Sequence, residues 1–418
     1  MKFYEKLQAW LAGPFSNSVQ KFVQNSYMMA LQGCFQATLP MIIVGSLASL
    51  INNIRNFIPQ MPDLTLINTF TFGLISIYMA FIIPYNILEN KGIHKAKPIT
   101  GFTGLALLLC LCNPQFSGGN IEINSGYIGT GGMTVAVALG LALGFSFSFY
   151  FNHSPFKKVA GLPPIVVTWF ETLIPIFLAT LACILIGQSI NLFTILEVIF
   201  QPVIDMGNSW IGFVLIYFIM SACYCLGLSA WAIWPIASVL FLTNIAANAA
   251  LVAEGQAPIY ISTDEVVFMG WCCVGGMGCT LVLNIMMITS KSKKISVIGK
   301  AALVPSIFNI NEPVMYGLPV VWNPIMMIPF LIVAIVVPSI TYLTLKIGLV
   351  AIPAVPLMMN YIPQPISAFI INNDWRSIIL LLVVIIVTYL IYLPFFKTYE
   401  KQEIAKEREE MAGAVETE

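Results

Sequence analysis

The chain has 418 residues and no net charge; it is 58% hydrophobic and only 9% charged, with a mean hydropathy of +0.88. An ordinary soluble domain is roughly 25% charged, so these few charges cannot cover the surface of a water-soluble protein of this length. The composition argues against a soluble enzyme, and the lack of a basic patch interleaved with aromatics argues against nucleic acid. It predicts an all-α integral membrane protein with lipid as its solvent.

Residues 1–23 place Phe3, Leu7, Trp10 and Leu11 on one helical face and keep Lys2, Glu5 and Lys6 largely off it. This pattern predicts a short amphipathic helix on the membrane surface, with no cleavable signal peptide. A span needs about 20 apolar residues. Candidates follow at 26–51, 66–88, 99–112, 126–151 and 165–190. A shorter amphipathic stretch lies at 192–203, and spans resume at 210–228, 230–252, 266–289, 324–345 and 377–396. The expected architecture is therefore about ten transmembrane helices plus amphipathic helices and re-entrant hairpins.

Lys91, Lys95 and Lys97 share one loop, Lys157 and Lys158 another, and Lys291, Lys293 and Lys294 a third. The alternate loops are poor in cations and carry Arg55, Glu122, Glu254, Asp264 and Glu265. By the positive-inside bias the basic loops face the cytoplasm, as do both termini. The intramembrane Pro, Gly, Asn and acid concentrate after residue 190. The chain accordingly divides into an N-terminal scaffold half (1–190), a transport half (191–396) and a charged cytoplasmic tail (397–418). The nine cysteines lie in or beside apolar runs without CxxC spacing or nearby histidine, so they read as small packing residues and imply no metal or cofactor. His94 and His153 fall in loops.

Three segments carry chemistry. In the stretch 300–323, Pro305, Pro313, Gly317 and Pro319 interrupt any single helix. Two half-helices meeting at residues 311–313 form a re-entrant hairpin that opens to the cytoplasm. Non-helical backbone survives at membrane depth only when buried in protein or lining a wet cavity. Glu312 is then an intramembrane carboxylate, costing roughly 2.5–3.5 kcal/mol. Its oxygens suit vicinal hydroxyls, with Asn309 and Asn311 beside it able to donate and accept. The second segment holds Trp271, Gly275, Gly276, Gly278 and Thr280, whose glycines would let another helix approach closely. The third holds Ser229, Trp231, Trp234 and Pro235. The tryptophans could stack on sugar rings or sit at the lipid interface, as could Trp375 at the start of the last span.

The run FNINEPVMYGLPVVWNPIMMIPF (308–330) resembles a family signature, that of the membrane C component of lactose/cellobiose/chitobiose-class bacterial phosphotransferase systems. LPMIIVGS (39–46), VGGMGCTL (274–281), Asp374-Trp-Arg376 and IYLPFF (391–396) extend the likeness over nearly the whole chain. The resemblance implies a homodimer held by an N-terminal domain, with a mobile transport domain that carries the sugar. It also implies delivery of that sugar to a phosphocysteine on a separate cytoplasmic B component, itself served by an A component. The expected role is thus a transport subunit without a cofactor, in the bacterial plasma membrane. By that likeness Glu312 maps onto the sugar-binding glutamate; Asn309, Asn311, Ser229, Trp231, Trp271 and Trp375 are the further candidate substrate contacts, read from the residues themselves.

One departure stands out. Family members commonly carry Gly-Ile-His-Gly where this chain has Gly227-Leu-Ser-Ala230, so Ser229 replaces an imidazole near the reactive hydroxyl. Serine hydrogen-bonds but cannot accept the proton as imidazole does. This points to a different sugar or to reduced phosphotransfer coupling. An ion-coupled secondary transporter using Glu312, and a non-transporting receptor derived from a permease, are the alternative readings.

Overall fold

The computed structural model describes residues 21, 24–55, 60–154, 164–227 and 234–415. The expected N-terminal amphipathic helix, together with Ser229 and Trp231, lies outside them. The chain forms two compact units, residues 1–204 and 205–418. Among the described residues the regular structure is helical apart from one short exposed β-hairpin, β1 (Gln115–Ser117) with β2 (Asn120–Glu122).

In the first unit the helices are α1 (Ser26–Arg55), α2 (Thr65–Phe70), α3 (Ile75–Asn90), α4 (Lys97–Leu111), α5 (Ser125–Ile128), α6 (Met133–Asn152) and α7 (Pro164–Ser189), followed by α8 (Leu192–Asn208), which crosses the unit boundary. Helix α3 is the hub, packed by α1, α4 and α6. Without a hydrophobic drive between helices in lipid, close contact depends on small residues. On α6, Gly140 and Gly144 meet Ile83 and Ile87 so tightly that a Cβ at Gly144 would lie 2.4 Å from Ile87 Cδ1. Helix α7 presents Trp169, Phe170, Leu173, Phe177 and Leu185 outward, an apolar face suited to acyl chains.

The second unit contains α9 (Trp210–Cys225), α10 (Trp234–Ala253), α11 (Thr280–Ile288), α12 (Lys293–Ile307), α13 (Glu312–Gly317), α14 (Pro324–Lys346), α15 (Gln364–Ile370) and α16 (Arg376–Val415). Helix α14 packs on α9 and α16, and α11 packs on α12.

Among the described residues seven helices are long and apolar enough to cross a membrane, or up to eight with one bent pair; α4 is a shorter apolar helix. This is fewer than the ten expected, and the difference lies mainly in the second unit. The 266–289 stretch is not one helix. A π-helical turn at Glu265–Gly270 gives way to irregular backbone, and α11 starts only at Thr280. Gly275, Gly276 and Gly278 all have positive φ, which breaks a run that hydropathy alone joins. Asp264 and Glu265, assigned above to an aqueous loop, are fully buried.

The tail is helical to Val415 and clasps the loop before α12. Ser290 Oγ and the Lys291 N–H donate to Glu400 Oε1 at 2.6 and 2.7 Å. Ser292 Oγ and the Lys294 N–H donate to Glu407 Oε1 at 2.6 and 3.0 Å, so Glu407 satisfies free donors at the α12 N-terminus. Glu403 is buried and receives Lys406 Nζ at 2.7 Å and Lys294 Nζ at 3.2 Å. These carboxylates lie past the apolar run that ends at Phe396. The hydrogen bond from Lys406, then that from Lys294, holds Glu403 below the ordinary Glu pKa of 4.5. The Ser292 hydroxyl, then the Lys294 N–H, does the same for Glu407. A lowered carboxyl pKa adds stability that is complete above the ordinary Glu range and is lost as pH falls through the lowered values. Acidification below pH 4.5 should therefore open the clasp, read as faster proteolysis between Lys397 and Lys406. Equal cleavage at neutral and acid pH, with a protease active at both, would contradict this.

Candidate functional site

Helix α12 stops at Ile307 and α13 starts at Glu312, with the break carried by Asn309 at φ +63°. Asparagine tolerates the left-handed region better than most residues. The Ile310 N–H returns to Pro305 O at 2.9 Å and closes the α12 end. Pro313 sits in the first turn of α13, where a missing N–H costs nothing. Glu312 is thus the first helical residue, and the break falls just before it rather than at residues 311–313. Its side chain is exposed and makes no hydrogen bond or ion pair to protein among the described residues.

The two asparagines beside it are engaged differently. Asn309 Nδ2 donates to Asn360 O (2.8 Å) and Ile362 O (2.9 Å), and its Oδ1 accepts the Gly275 N–H at 3.1 Å. Asn311 is buried; its Nδ2 donates to Met277 O at 2.9 Å and its Oδ1 accepts the Tyr224 hydroxyl at 3.0 Å. Their amides therefore tie the hairpin to the glycine loop, to residues 360–362 and to α9. Gly276 has φ +100°, and a Cβ there would lie 2.5 Å from Asn311 Cγ. Glycine is thus required both by the backbone and by the close approach of Asn311. The expected helix-packing role for these glycines is replaced by a loop that receives the hairpin.

The segment between α14 and α15 is irregular and held by side chains. Asn248 Nδ2 donates to Pro353 O at 2.8 Å, Glu265 Oε1 accepts the Leu357 N–H at 3.0 Å, and Asp374 Oδ2 accepts the Ala351 N–H at 2.9 Å. Gln364 Nε2 and Ser367 Oγ anchor α15 to Phe268 O and Met269 O at 2.8 and 2.6 Å.

Of the tryptophans, Trp271 is fully buried with its Nε1 donating to Ser377 O at 2.9 Å, so no ring face is open to a ligand in this conformation. Trp234 is buried and donates to Asp264 Oδ1 at 2.9 Å. Thr280 is buried and donates to Gly275 O at 2.7 Å. Trp375 is 66% exposed at the start of α16, beside the Asp374–Arg376 ion pair at 2.8 Å. Sequence reasoning missed Tyr224, Asn248, Glu265 and Gln364. Each is a polar side chain within or beside an apolar stretch, a signal that was present but had no pattern to mark it. It also missed Trp322, half-buried at φ +59°, whose N–H donates to Cys225 O at 3.2 Å.

The chain resembles known proteins along nearly its full length. It is 27% identical to the oligo-beta-mannoside-specific EIIC component of a phosphotransferase system from Bacillus subtilis (strain 168), covering 97% of this chain and 96% of that protein. It is 28% identical to the lichenan permease IIC component of the same organism, covering 92% and 91%. The crystal structure of the transporter ChbC, the IIC component of an N,N'-diacetylchitobiose-specific phosphotransferase system, superposes with a TM-score of 0.84. That match is 24% identical over 94% of this chain and 98% of that one. The family model described as phosphotransferase system, EIIC, matches residues 32–334. EIIC components are transport subunits, and phosphorylation is carried out by a separate EIIB component. An all-helical membrane fold, the Asn-Glu-Pro hairpin and that match together make this chain a member of the phosphotransferase EIIC family, a sugar permease subunit.

Proposed function

We propose that the sugar, a mono- or disaccharide, is held at the tip of the α12–α13 hairpin with Glu312 as the principal hydroxyl acceptor. One observation carries this reading. Glu312 is exposed at a helix break whose two neighbouring asparagines spend their amides on holding the backbone in place. A carboxylate accepts bidentately from vicinal hydroxyls through charge-assisted bonds, roughly twice as strong as neutral ones. Asn309 and Asn311 then act chiefly as supports. Ser229 and Trp231 would complete the pocket from the 228–233 segment, with Trp375 covering it in another state of the transport cycle. Trp271 supports the pocket from behind. The chain works as a homodimer in the plasma membrane with both termini in the cytoplasm, where the bound sugar meets a phosphorylated B component.

The relatives' names supply the sugars to try first: oligo-β-mannosides, lichenan fragments, lactose and N,N'-diacetylchitobiose. Vesicles containing the purified chain are loaded with phospho-B protein. The expected result is sugar phosphate inside, in amounts that follow the phospho-B supply. Free sugar accumulating on a proton or sodium gradient without phospho-B would replace this reading with ion-coupled transport. Saturable binding without flux would replace it with a receptor.

A further inference from the structure

Tyr224 lies in the last turn of α9 and is 7% exposed. Its ring stands edge-on to Phe330 of α14, with centroids 6.5 Å apart and planes at 61°. Its hydroxyl reaches across to Asn311 Oδ1 at 3.0 Å. The direction of this bond is fixed by chemistry. The Met277 carbonyl can only accept, so it takes Asn311 Nδ2 at 2.9 Å. Oδ1 must then face Tyr224, and the Tyr224 hydroxyl must donate. The Asn311 backbone carbonyl in turn accepts the Val314 and Met315 N–H groups at 3.0 and 2.9 Å. Those bonds form the first turn of α13, on which Glu312 rides. The far end of the hairpin docks on the same turn of α9, where the Trp322 N–H donates to Cys225 O at 3.2 Å. A side chain at Gly227 would come within 3.2 Å of the Trp322 indole nitrogen.

We infer that Tyr224 is a positioning residue of the sugar site, acting through Asn311 to aim the Glu312 carboxylate. This rests on the reading of Glu312 as the sugar acceptor. Small misplacements of a binding group weaken it steeply. Without the hydroxyl, the Asn311 amide loses its one side-chain partner among the described residues, and the first turn of α13 loses this lateral tether to α9.

The test is a double-mutant cycle on the full chain in detergent, with sugar affinity measured by calorimetry for wild type, Tyr224→Phe, Asn311→Ala and the double variant. Tyr224→Phe should weaken binding about tenfold, and the double variant should bind no more weakly than Asn311→Ala alone, because both act on one path. Tyr342→Phe is the control. It removes another hydroxyl of the same unit, one that donates to Asn208 O at 2.6 Å, and should leave affinity unchanged at a comparable loss of thermal stability. Wild-type affinity in Tyr224→Phe would overturn the inference, as would additive losses or an equal loss in Tyr342→Phe. Wild type failing to bind any sugar of the panel would instead remove the Glu312 reading, and this inference with it.

Discussion

Glu312→Gln should weaken sugar binding by about two orders of magnitude while leaving the fold intact. The substitution keeps shape and removes charge. Hydrogen bonds to a charged group contribute roughly 1.5–3 kcal/mol each, against 0.5–1.5 for neutral ones. A carboxylate holding two hydroxyls therefore loses about 2–3 kcal/mol when neutralised, an affinity drop on the order of 30- to 150-fold. Stability should hardly change, because Glu312 is exposed and makes no hydrogen bond or ion pair to protein among the described residues. Substitutions at such positions usually stay within about 0.5 kcal/mol. Calorimetric titration with the best sugar of the panel, beside a thermal melt in the same detergent, reads both quantities. Retained affinity in the variant would end the proposal that this carboxylate holds the sugar.

Gly276→Ala produces the largest expected loss of stability. Its φ of +100° is a conformation that L side chains rarely adopt, and the added Cβ would lie 2.5 Å from Asn311 Cγ and 2.7 Å from Asn311 Cβ. Backbone strain of about 1–3 kcal/mol and overpacking of about 1–3 kcal/mol act together, giving about 2–6 kcal/mol. That is a large share of the roughly 5–15 kcal/mol available to a folded domain. Gly255→Ala separates the two causes. Gly255 has φ +77° with nothing within 4 Å of an added Cβ, so it should show only the strain, about 1–2 kcal/mol. Gly276→Ala should therefore melt well below Gly255→Ala and, where it folds, bind sugar weakly because Asn311 has moved. Matching melting curves would mean that the glycine loop yields and that its fit to the hairpin is not tight.

Hydropathy located the regular helices well, because a span is a local property. Residues 26–51, 324–345 and 377–396 each needed only a continuous apolar run, and each lies within a helix of the fold. The same rule failed at 266–289. That run is as apolar as a span, but its backbone is bent by three glycines held by distant partners: Asn309 accepts from the Gly275 N–H, Asn311 packs against Gly276, and the Tyr217 hydroxyl accepts from the Gly278 N–H. Asp264 and Glu265 misled for a related reason. Charge usually marks an aqueous loop, whereas these two side chains are buried as acceptors for Trp234 and for the Leu357 N–H, a pairing separated by 92 residues in the second case. The clasp of Glu400, Glu403 and Glu407 on the loop before α12 is likewise long-range, and a charged tail gives no local hint of it.

The sequence by itself determined the solvent, the helical class, the family resemblance and the identity of Glu312 as the acid at a broken hairpin. All of these follow from composition, from proline and glycine chemistry, and from a motif contiguous in the chain. Tertiary structure alone decided where the polar groups of Asn309, Asn311 and Trp271 are spent, since each meets its partner across tens to a hundred residues of chain. The physical reason is that a polar group in an apolar interior must find its hydrogen-bond partner wherever the fold brings one, and hydropathy does not record which donor meets which acceptor.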